Sequence, residues 1–454
     1  MMNVLFISYQ FPPLNAGGTL RPMAFAKYLP DHGIMPLVIT LAPDDYGKVY
    51  EKYQTDPAMF EELPVQVRER VTPVTTENVL NYYGSPLKRF VNIYFDVYRG
   101  KEGAAWKHHF YREADRMIKE FQPRLVFVTA PPFSIIPLAA GVCEKHQLPL
   151  VLDMRDAWTY WNMTPYGSYL HYVRTKANEQ AAFRQATAVI GTSRQTIDDW
   201  KYLFPDMPAG KFNYIPNGYD ADQNGTQPAA VVNLPPDPPV FRMTYIGSFY
   251  YAPESRNMMM LPWWRKRGHK MLQYSPRKQD WLYRSPYFIF KTVRELLKLA
   301  PHWETRLKLS FAGKKEPWFD EMVRTFGLEH VVEHLGFLPR EACVRLEKES
   351  DVLLITSAKV LGGRDCFIAG KTFEYLQADK PVFAFTPEGA QKDLLAASGR
   401  AVIFDPDACE QAAKQMLNIL EEGIELRSDP AFMESHTRRE LTGQLAALMK
   451  RIAP

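Results

Sequence analysis

The chain is predicted to fold as two α/β domains, each built on a doubly wound parallel sheet and facing the other across a cleft. Three observations predict this. Short apolar runs of strand length alternate with helical apolar spacing along the chain. The alternation breaks once, over the Pro-rich residues 224–239, and then restarts. A chain of 454 residues with 46% hydrophobic content also exceeds what one compact core accommodates.

In order, residues 3–8 read as a strand, followed by a Pro/Gly loop and a helix over 21–29. Strands follow at 35–41 and 125–129, a helix at 135–146, and strands at 148–152 and 188–192. These define an N-terminal Rossmann-like domain over 1–223. Prolines fix φ and lack a donor, so 224–239 sustains neither a helix nor a central strand and is predicted to be the linker. The second domain, 240–430, carries strands at 242–246, 307–312, 331–335, 352–356 and 382–385. Its helices are predicted at 288–299, 318–326 and 371–377, and a basic, Trp-rich insertion occupies about 252–283. Residues 431–454 are predicted as a C-terminal helix that crosses back to the first domain. A ligand is expected beyond the carboxyl ends of the strands, where the loops converge.

Composition narrows the function. The cysteines, Cys143, Cys343, Cys366 and Cys409, are dispersed without metal-ligand spacing, which disfavours a disulfide framework or a zinc site and points to the cytoplasm. No apolar stretch reaches the ~18–20 residues of a spanning helix, and the first residues run straight into a strand. Asn224-Gly225-Thr226 is therefore read as a turn. His108, His109, His330 and His334 are read as ordinary surface or core residues, and no metal or other cofactor is expected.

The most informative run is Gly370-Lys371-Thr372-Phe373-Glu374, which opens a helix ahead of the apolar strand at 382–385. Lys371 and Glu374, three residues apart, fall on neighbouring faces of one turn. An ammonium beside a carboxylate at the mouth of an α/β sheet suits a ligand bearing phosphates and hydroxyls, which describes a nucleotide-sugar. An amphipathic helix capping a core strand is the structural alternative. In the loop after the first strand, Gly17 and Gly18 let backbone amides approach a ligand, and Arg21 is placed to meet a phosphate or sugar. The loop is not a GxGxxG, so a dinucleotide reading is poor. Asp153-Met154-Arg155-Asp156-Ala157-Trp158 follows a strand end, where Arg155, Asp156 and Trp158 suit sugar hydroxyls and a ring face. An internal Arg/Asp pair bracing that loop is the alternative. Asn217-Gly218 marks a turn.

The order of Phe11-Pro12-Pro13 with Ala16-Gly17-Gly18, Asp153–Trp158, Ile215-Pro216-Asn217-Gly218-Tyr219-Asp220, Tyr245-Ile246-Gly247-Ser248-Phe249, Phe311-Ala312-Gly313-Lys314-Lys315, His334-Leu335-Gly336-Phe337-Leu338 and the Gly370 run resembles the retaining glycosyltransferases of family four, in particular bacterial members with an RDxW motif. The resemblance covers about 1–225 and 240–425. It implies the GT-B fold, an N-terminal acceptor-binding domain, a C-terminal domain gripping a nucleoside-diphosphate sugar, and metal-free transfer with retained configuration. By motif position, Glu374 would take the ribose hydroxyls and Lys371 would lie near the diphosphate or sugar. Gly336, Phe337 and Leu338 would form the base-binding loop. Gly247 and Gly313 would end strands lining the donor cleft, and Gly17 and Gly18 would approach donor phosphates or acceptor.

The chain departs from the family's pattern. Of the paired glutamates separated by seven residues, only Glu374 is present; Cys366 stands at the first position, with Asp365 the nearest substitute for a catalytic carboxylate. The GRxxxxKG motif after the first strand of the second domain is broken by the insertion, and Arg284, just past it, is the candidate for the displaced diphosphate cation. The N-domain histidine common in the wider family is absent from 129–134.

Net charge is +4, yet residues 254–284 hold eight basic residues against two acidic ones. Trp263 and Trp264 beside Arg265, Lys266 and Arg267 suit an anionic membrane interface. A second aromatic-basic stretch, 88–107 with Tyr94, Phe95, Tyr98 and Trp106, adds to this. A partner-binding loop or a solvated excursion packed by its own aromatics fits the same residues; nucleic acid fits less, because the rest of the chain nets −2 and offers no recognition fold. The resulting expectation is a cytoplasmic, membrane-peripheral retaining glycosyltransferase acting on a lipid-linked or cell-surface glycan acceptor, in polysaccharide or lipopolysaccharide assembly. A nucleotide-sugar epimerase is the rival within the enzymes. A non-catalytic GT-B scaffold binding a nucleotide-sugar or partner protein is the rival outside them, kept open by Cys366.

Overall fold

The computed structural model describes residues 1–80, 84–95, 100–160, 163–220 and 229–453. Tyr98, the sequon at 224–226 and the predicted domain boundary at 223/224 lie outside the described residues. The first domain is a seven-stranded sheet of β1 (Met2–Ser8), β2 (Ile34–Leu41), β3 (Val71–Val74), β4 (Leu125–Ala130), β5 (Leu150–Met154), β6 (Ala188–Gly191) and β7 (Phe212–Tyr214). Its strand order is β3-β2-β1-β4-β5-β6-β7, parallel throughout. Reversal of direction between β1 and β4 leaves a crevice at their carboxyl ends, where the loops carrying Gly17, Gly18 and Pro131 meet. β1, β4 and β5 are buried on both faces, which is why they read as unbroken apolar runs rather than as alternation.

β8 (Val231–Leu234) follows, and then the second sheet: β9 (Phe241–Ile246), β11 (Leu307–Ala312), β12 (Val332–Gly336), β13 (Val352–Thr356), β15 (Val382–Phe385) and β16 (Ala401–Phe404), in the parallel order β12-β11-β9-β13-β15-β16. The insertion ends in β10 (Lys278–Asp280), which pairs antiparallel with β14 (Lys359–Leu361). Within the predicted linker, Val231–Leu234 is a short strand, not a central one, paired antiparallel with β17 (Ile424–Arg427) in a ribbon apart from the main sheets. Pro235 and Pro236 fall just past its last paired residue, so they cost the ladder no donor. None of the described helices is long and apolar enough to cross a membrane.

Helix Arg438–Ile452 lies on the first domain. Leu441, Leu445, Leu448 and Met449 are buried in one core with Val4, Phe6, Phe25 and Phe127. The chain's last segment thereby ties the two domains together. Leu445→Ala should lower the stability of this core by about 2–5 kcal/mol through lost burial and a residual cavity. A denaturant midpoint unchanged from wild type would contradict that packing.

Candidate active site

A cleft of about 400 Å³ opens between the two domains. Gly17, Gly18, Arg155, Asp156 and Asn217 line it from the first domain, Tyr250, Cys366, Phe367, Gly370 and Glu374 from the second, and Arg438 from the terminal helix.

Behind its C-domain wall, which Gly370 and Glu374 line, three strands stop together. Gly247 at the end of β9 donates to Ala312 O (2.7 Å), and Gly313 at the end of β11 donates to Gly336 O (2.7 Å). Gly247 and Gly313 have φ of +129° and +140°, and Gly336 has +70°. A Cβ on Gly313 would sit 2.5 Å from Gly247 O, and one on Gly247 would sit 2.6 Å from Lys371 Nζ. Glycine is therefore required for the backbone to pass and for Lys371 to lie against it.

Lys371 sits in the first turn of helix Gly370–Gln377, where the unpaired helix amides also favour an anion. Its stem is partly exposed, but Nζ is buried and has no hydrogen-bond partner among the described residues. Nζ lies 3.7 Å from the centroid of the Tyr245 ring. Burial and the neighbouring Arg284 cation push its pKa down to about 7, with Glu374 partly opposing them. Arg284 stands over Trp281 (5.2 Å) and Tyr250 (5.9 Å). Its charge is felt by Asp156, Tyr245, Asp365 and Lys371, placing it among them. A buried ammonium beside a guanidinium, compensated by ring faces and by carboxylates with which neither forms an ion pair among the described residues, is an incomplete electrostatic site. It suits a ligand of high negative charge.

Glu374, one helical turn on, is exposed and lines the cleft. Half-buried Glu347 sits near it, its pKa raised to about 7 by burial and by the Glu374 charge. Phe337 is 78% exposed at the tip of the loop after β12, while Leu338 is half-buried.

Several predicted residues turn out to be structural. Arg21 is buried and its donors are spent inside the protein: Nη2 meets Asp153 Oδ1 (2.7 Å) and Ile215 O (2.9 Å), and Nη1 donates to Pro216 O (2.6 Å). Arg155 braces the glycine loop, donating to Gly18 O and Pro131 O. The bracing pair is thus Arg21 with Asp153, and Arg21 has no donor left for an acceptor, whereas Arg155 lines the cleft and keeps a buried Nε without a partner among the described residues. A Cβ on Gly18 would collide with Gln10 and Arg155, whereas Gly17 faces open space.

Asp365 needs a similar correction. It is 1% exposed and does not line the cleft; Oδ1 accepts from Phe367 N (3.2 Å) and Gln279 Nε2 (3.3 Å). Burial raises its pKa to about 6, against the pull of Arg284, so it acts on the site only through that cation. Cys366 does line the cleft, but burial pushes its thiol well up, and it packs with the first domain's core. Trp158 lies elsewhere. It stacks on Phe133 at 4.9 Å and lines a second pocket of about 410 Å³, which shares Pro131 with the cleft.

Asp156 and Glu374 are the carboxylates among the residues lining the cleft, facing in from opposite domains. Burial raises the Asp156 pKa while Arg155 and Arg284 oppose it. The sequence reading missed Tyr245, Tyr250, Trp281 and Glu347. Tyr245 was within reach of it, being the first residue of the Tyr245-Ile246-Gly247 strand end. Among the described residues, no group of three His, Cys, Asp or Glu side chains gathers as a metal would require.

Two parallel-sheet domains facing across a cleft define the GT-B class of glycosyltransferase folds. Residues 23–223 match the family described as Glycosyltransferase Family 4. The fold is similar to that of Anabaena HepE, solved in complex with UDP (14% identity, TM-score 0.52, covering 100% of this chain and 97% of that one). It is also similar to sucrose-phosphate synthase from Thermosynechococcus elongatus (12%, 0.55, 100% and 99%) and to the lipopolysaccharide outer core galactosyltransferase WaaB (12%, 0.54, 99% and 100%). No curated protein sequence matches the chain.

Lys371 carries a signed pH dependence. Its folded pKa lies below the unfolded value, so its charge costs stability fully below about pH 7, and that cost fades as pH rises toward the unfolded value of 10.5. Lys371→Met should therefore raise the melting temperature most below pH 7, with the gain shrinking in alkaline buffer. A gain that grew with pH would contradict this assignment.

Proposed function

We propose that the protein transfers a sugar, with retention of configuration and without a metal, from a nucleoside-diphosphate sugar to a lipid-linked or cell-surface glycan acceptor. The observation that carries this reading is the unpartnered Lys371 Nζ buried beside Arg284 at the mouth of the second sheet. When the bond between anomeric carbon and phosphate breaks, negative charge grows on the leaving diphosphate. Lys371, Arg284 and the first-turn amides at Gly370 are placed to meet it, and a charge-compensating group in a buried site contributes more there than in water.

Glu374 would accept the ribose hydroxyls, with the exposed Phe337 beside the base. Asp156 would meet the transferred sugar or the acceptor hydroxyl from the first domain's wall, since Cys366 on the second offers only a neutral thiol. The site of action is the cytoplasmic side of a membrane. The rival reading, a nucleotide-sugar binder without turnover, is favoured by Cys366 alone; donor hydrolysis without acceptor separates the two, because a binder should show none.

Screening UDP-, GDP-, ADP- and dTDP-sugars by thermal shift should give stabilisation of several degrees with one nucleotide class, and Glu374→Ala should abolish it. Asp156→Asn should keep the shift and lose about 10²-fold or more in turnover. No shift with any donor would overturn the reading.

A further inference from the structure

The insertion that carries the exposed aromatic tip packs, through Tyr274, against the first domain beside that domain's own exposed apolar residues. Trp263, Trp264 and Leu272 are 60%, 65% and 56% exposed. Arg265, Arg267 and Lys270 are exposed around them. Arg256 and Arg277 belong to the insertion's base instead, paired with Asp280 (2.7 Å) and with Asp199 of the first domain (2.8 Å). Tyr274 fastens the insertion across the domain junction: its backbone exchanges two hydrogen bonds with Tyr166 (2.8 and 3.0 Å), and its ring lies 5.0 Å from that of Tyr169.

Tyr169 opens helix Tyr169–Gln185, whose first residues Tyr169, Leu170 and Val173 are exposed. Helix Pro86–Phe95 docks beside this start, with His171 Nδ1 2.8 Å from Ile93 O and Arg174 Nη1 donating to Phe95 O (2.9 Å). It exposes Leu87, Phe90 and Ile93 at three-residue intervals, one stripe along the helix, with Lys88 and Arg89 exposed between them.

Three segments distant in sequence thus build one surface. No Asp or Glu falls within residues 84–95, 163–178 or 255–279. Large exposed apolar side chains gathered on one side of a protein mark interaction sites. Interfaces between proteins are depleted of charge at their cores, whereas here cations are interleaved with each apolar cluster. Indoles and aliphatic side chains at headgroup depth, ringed by Lys and Arg, suit an anionic bilayer.

We propose that the anionic face of a lipid bilayer docks on this composite surface, with helix Pro86–Phe95, the start of helix Tyr169–Gln185 and the insertion tip all making contact. The proposal rests on the transferase reading for its purpose only, which is to present a lipid-linked acceptor to the cleft. The second pocket fits that purpose, because its lining joins His171 of the docking helix to Pro131 of the cleft.

The test is flotation of the full chain with phosphatidylcholine vesicles, neutral or carrying about 30% phosphatidylglycerol. Wild type should float with the anionic vesicles and stay behind with the neutral ones. Leu87→Ser with Phe90→Ser, and separately Trp263→Ser with Trp264→Ser, should each lower the partition coefficient by about tenfold or more. Arg265→Gln with Arg267→Gln and Lys270→Gln should lower it by about 100-fold, following ~1 kcal/mol for each cation. All seven positions are at the surface, so melting temperature and the nucleotide-induced shift should be unchanged. Failure of wild type to float, equal flotation on neutral vesicles, or full binding by the Leu87/Phe90 variant overturns the proposal. Flotation lost while the nucleotide shift persists refutes docking alone; a missing nucleotide shift with flotation intact refutes the transferase reading alone.

Discussion

Two cations held close together behind the cleft's C-domain wall, Lys371 and Arg284, form the constraint on which the site depends. Among the described residues neither forms an ion pair, and the lysine's Nζ is shielded from water. Such a pair persists only if the fold forces it. The glycine strand ends leave room for Lys371, the Tyr245 ring gives its ammonium a face, and Trp281 and Tyr250 flank Arg284. The free protein thus keeps a site tuned for an anion at a cost to its own stability, the usual signature of preorganisation.

The second constraint is how the domains are joined, since a site made of both walls works only if they hold register. Among the described residues the terminal helix Arg438–Ile452 on the first domain's core, Cys366 packed into that same domain, the Arg277–Asp199 ion pair and the Tyr166–Tyr274 backbone pair do this. The last two come from the insertion. The segment that delivers Arg284 to the proposed donor site is therefore the one that grips the opposite domain and carries the exposed tryptophans. Proposed donor site, domain junction and exposed aromatic residues share one stretch of chain.

Much of this was legible in the sequence. Strands such as β1, β4 and β13 are continuous apolar runs because both their faces are covered, and the Gly370 helix announced itself by Lys371 and Glu374 on one turn. Arg284 could be proposed as a displaced cation because a basic residue directly follows the insertion. The fates of Arg21, Arg155 and Trp158 were not legible. A residue's position after a strand says that it is near the crevice, but not whether its side chain turns outward or is consumed by carbonyls from a loop some 195 residues away. Asp365 was misplaced for the same reason, since adjacency to Cys366 does not carry it to the cleft surface. The β8–β17 ribbon escaped because its partner lies far along the chain and its own prolines imitate a linker. The exposure of Leu87, Phe90 and Ile93 was invisible too, because helical apolar spacing normally signals a face turned inward.

The central claim is that Lys371 waits for a diphosphate, and proton uptake on binding tests it most directly. Binding of the effective nucleoside diphosphate at pH 8 would be followed calorimetrically in buffers of different ionisation enthalpy. An ammonium whose pKa stands near 7 in the free protein, and is raised by an incoming anion, must take up a proton there. The account predicts uptake approaching one proton per nucleotide, absent in Lys371→Met. Binding with no proton uptake at that pH would contradict it.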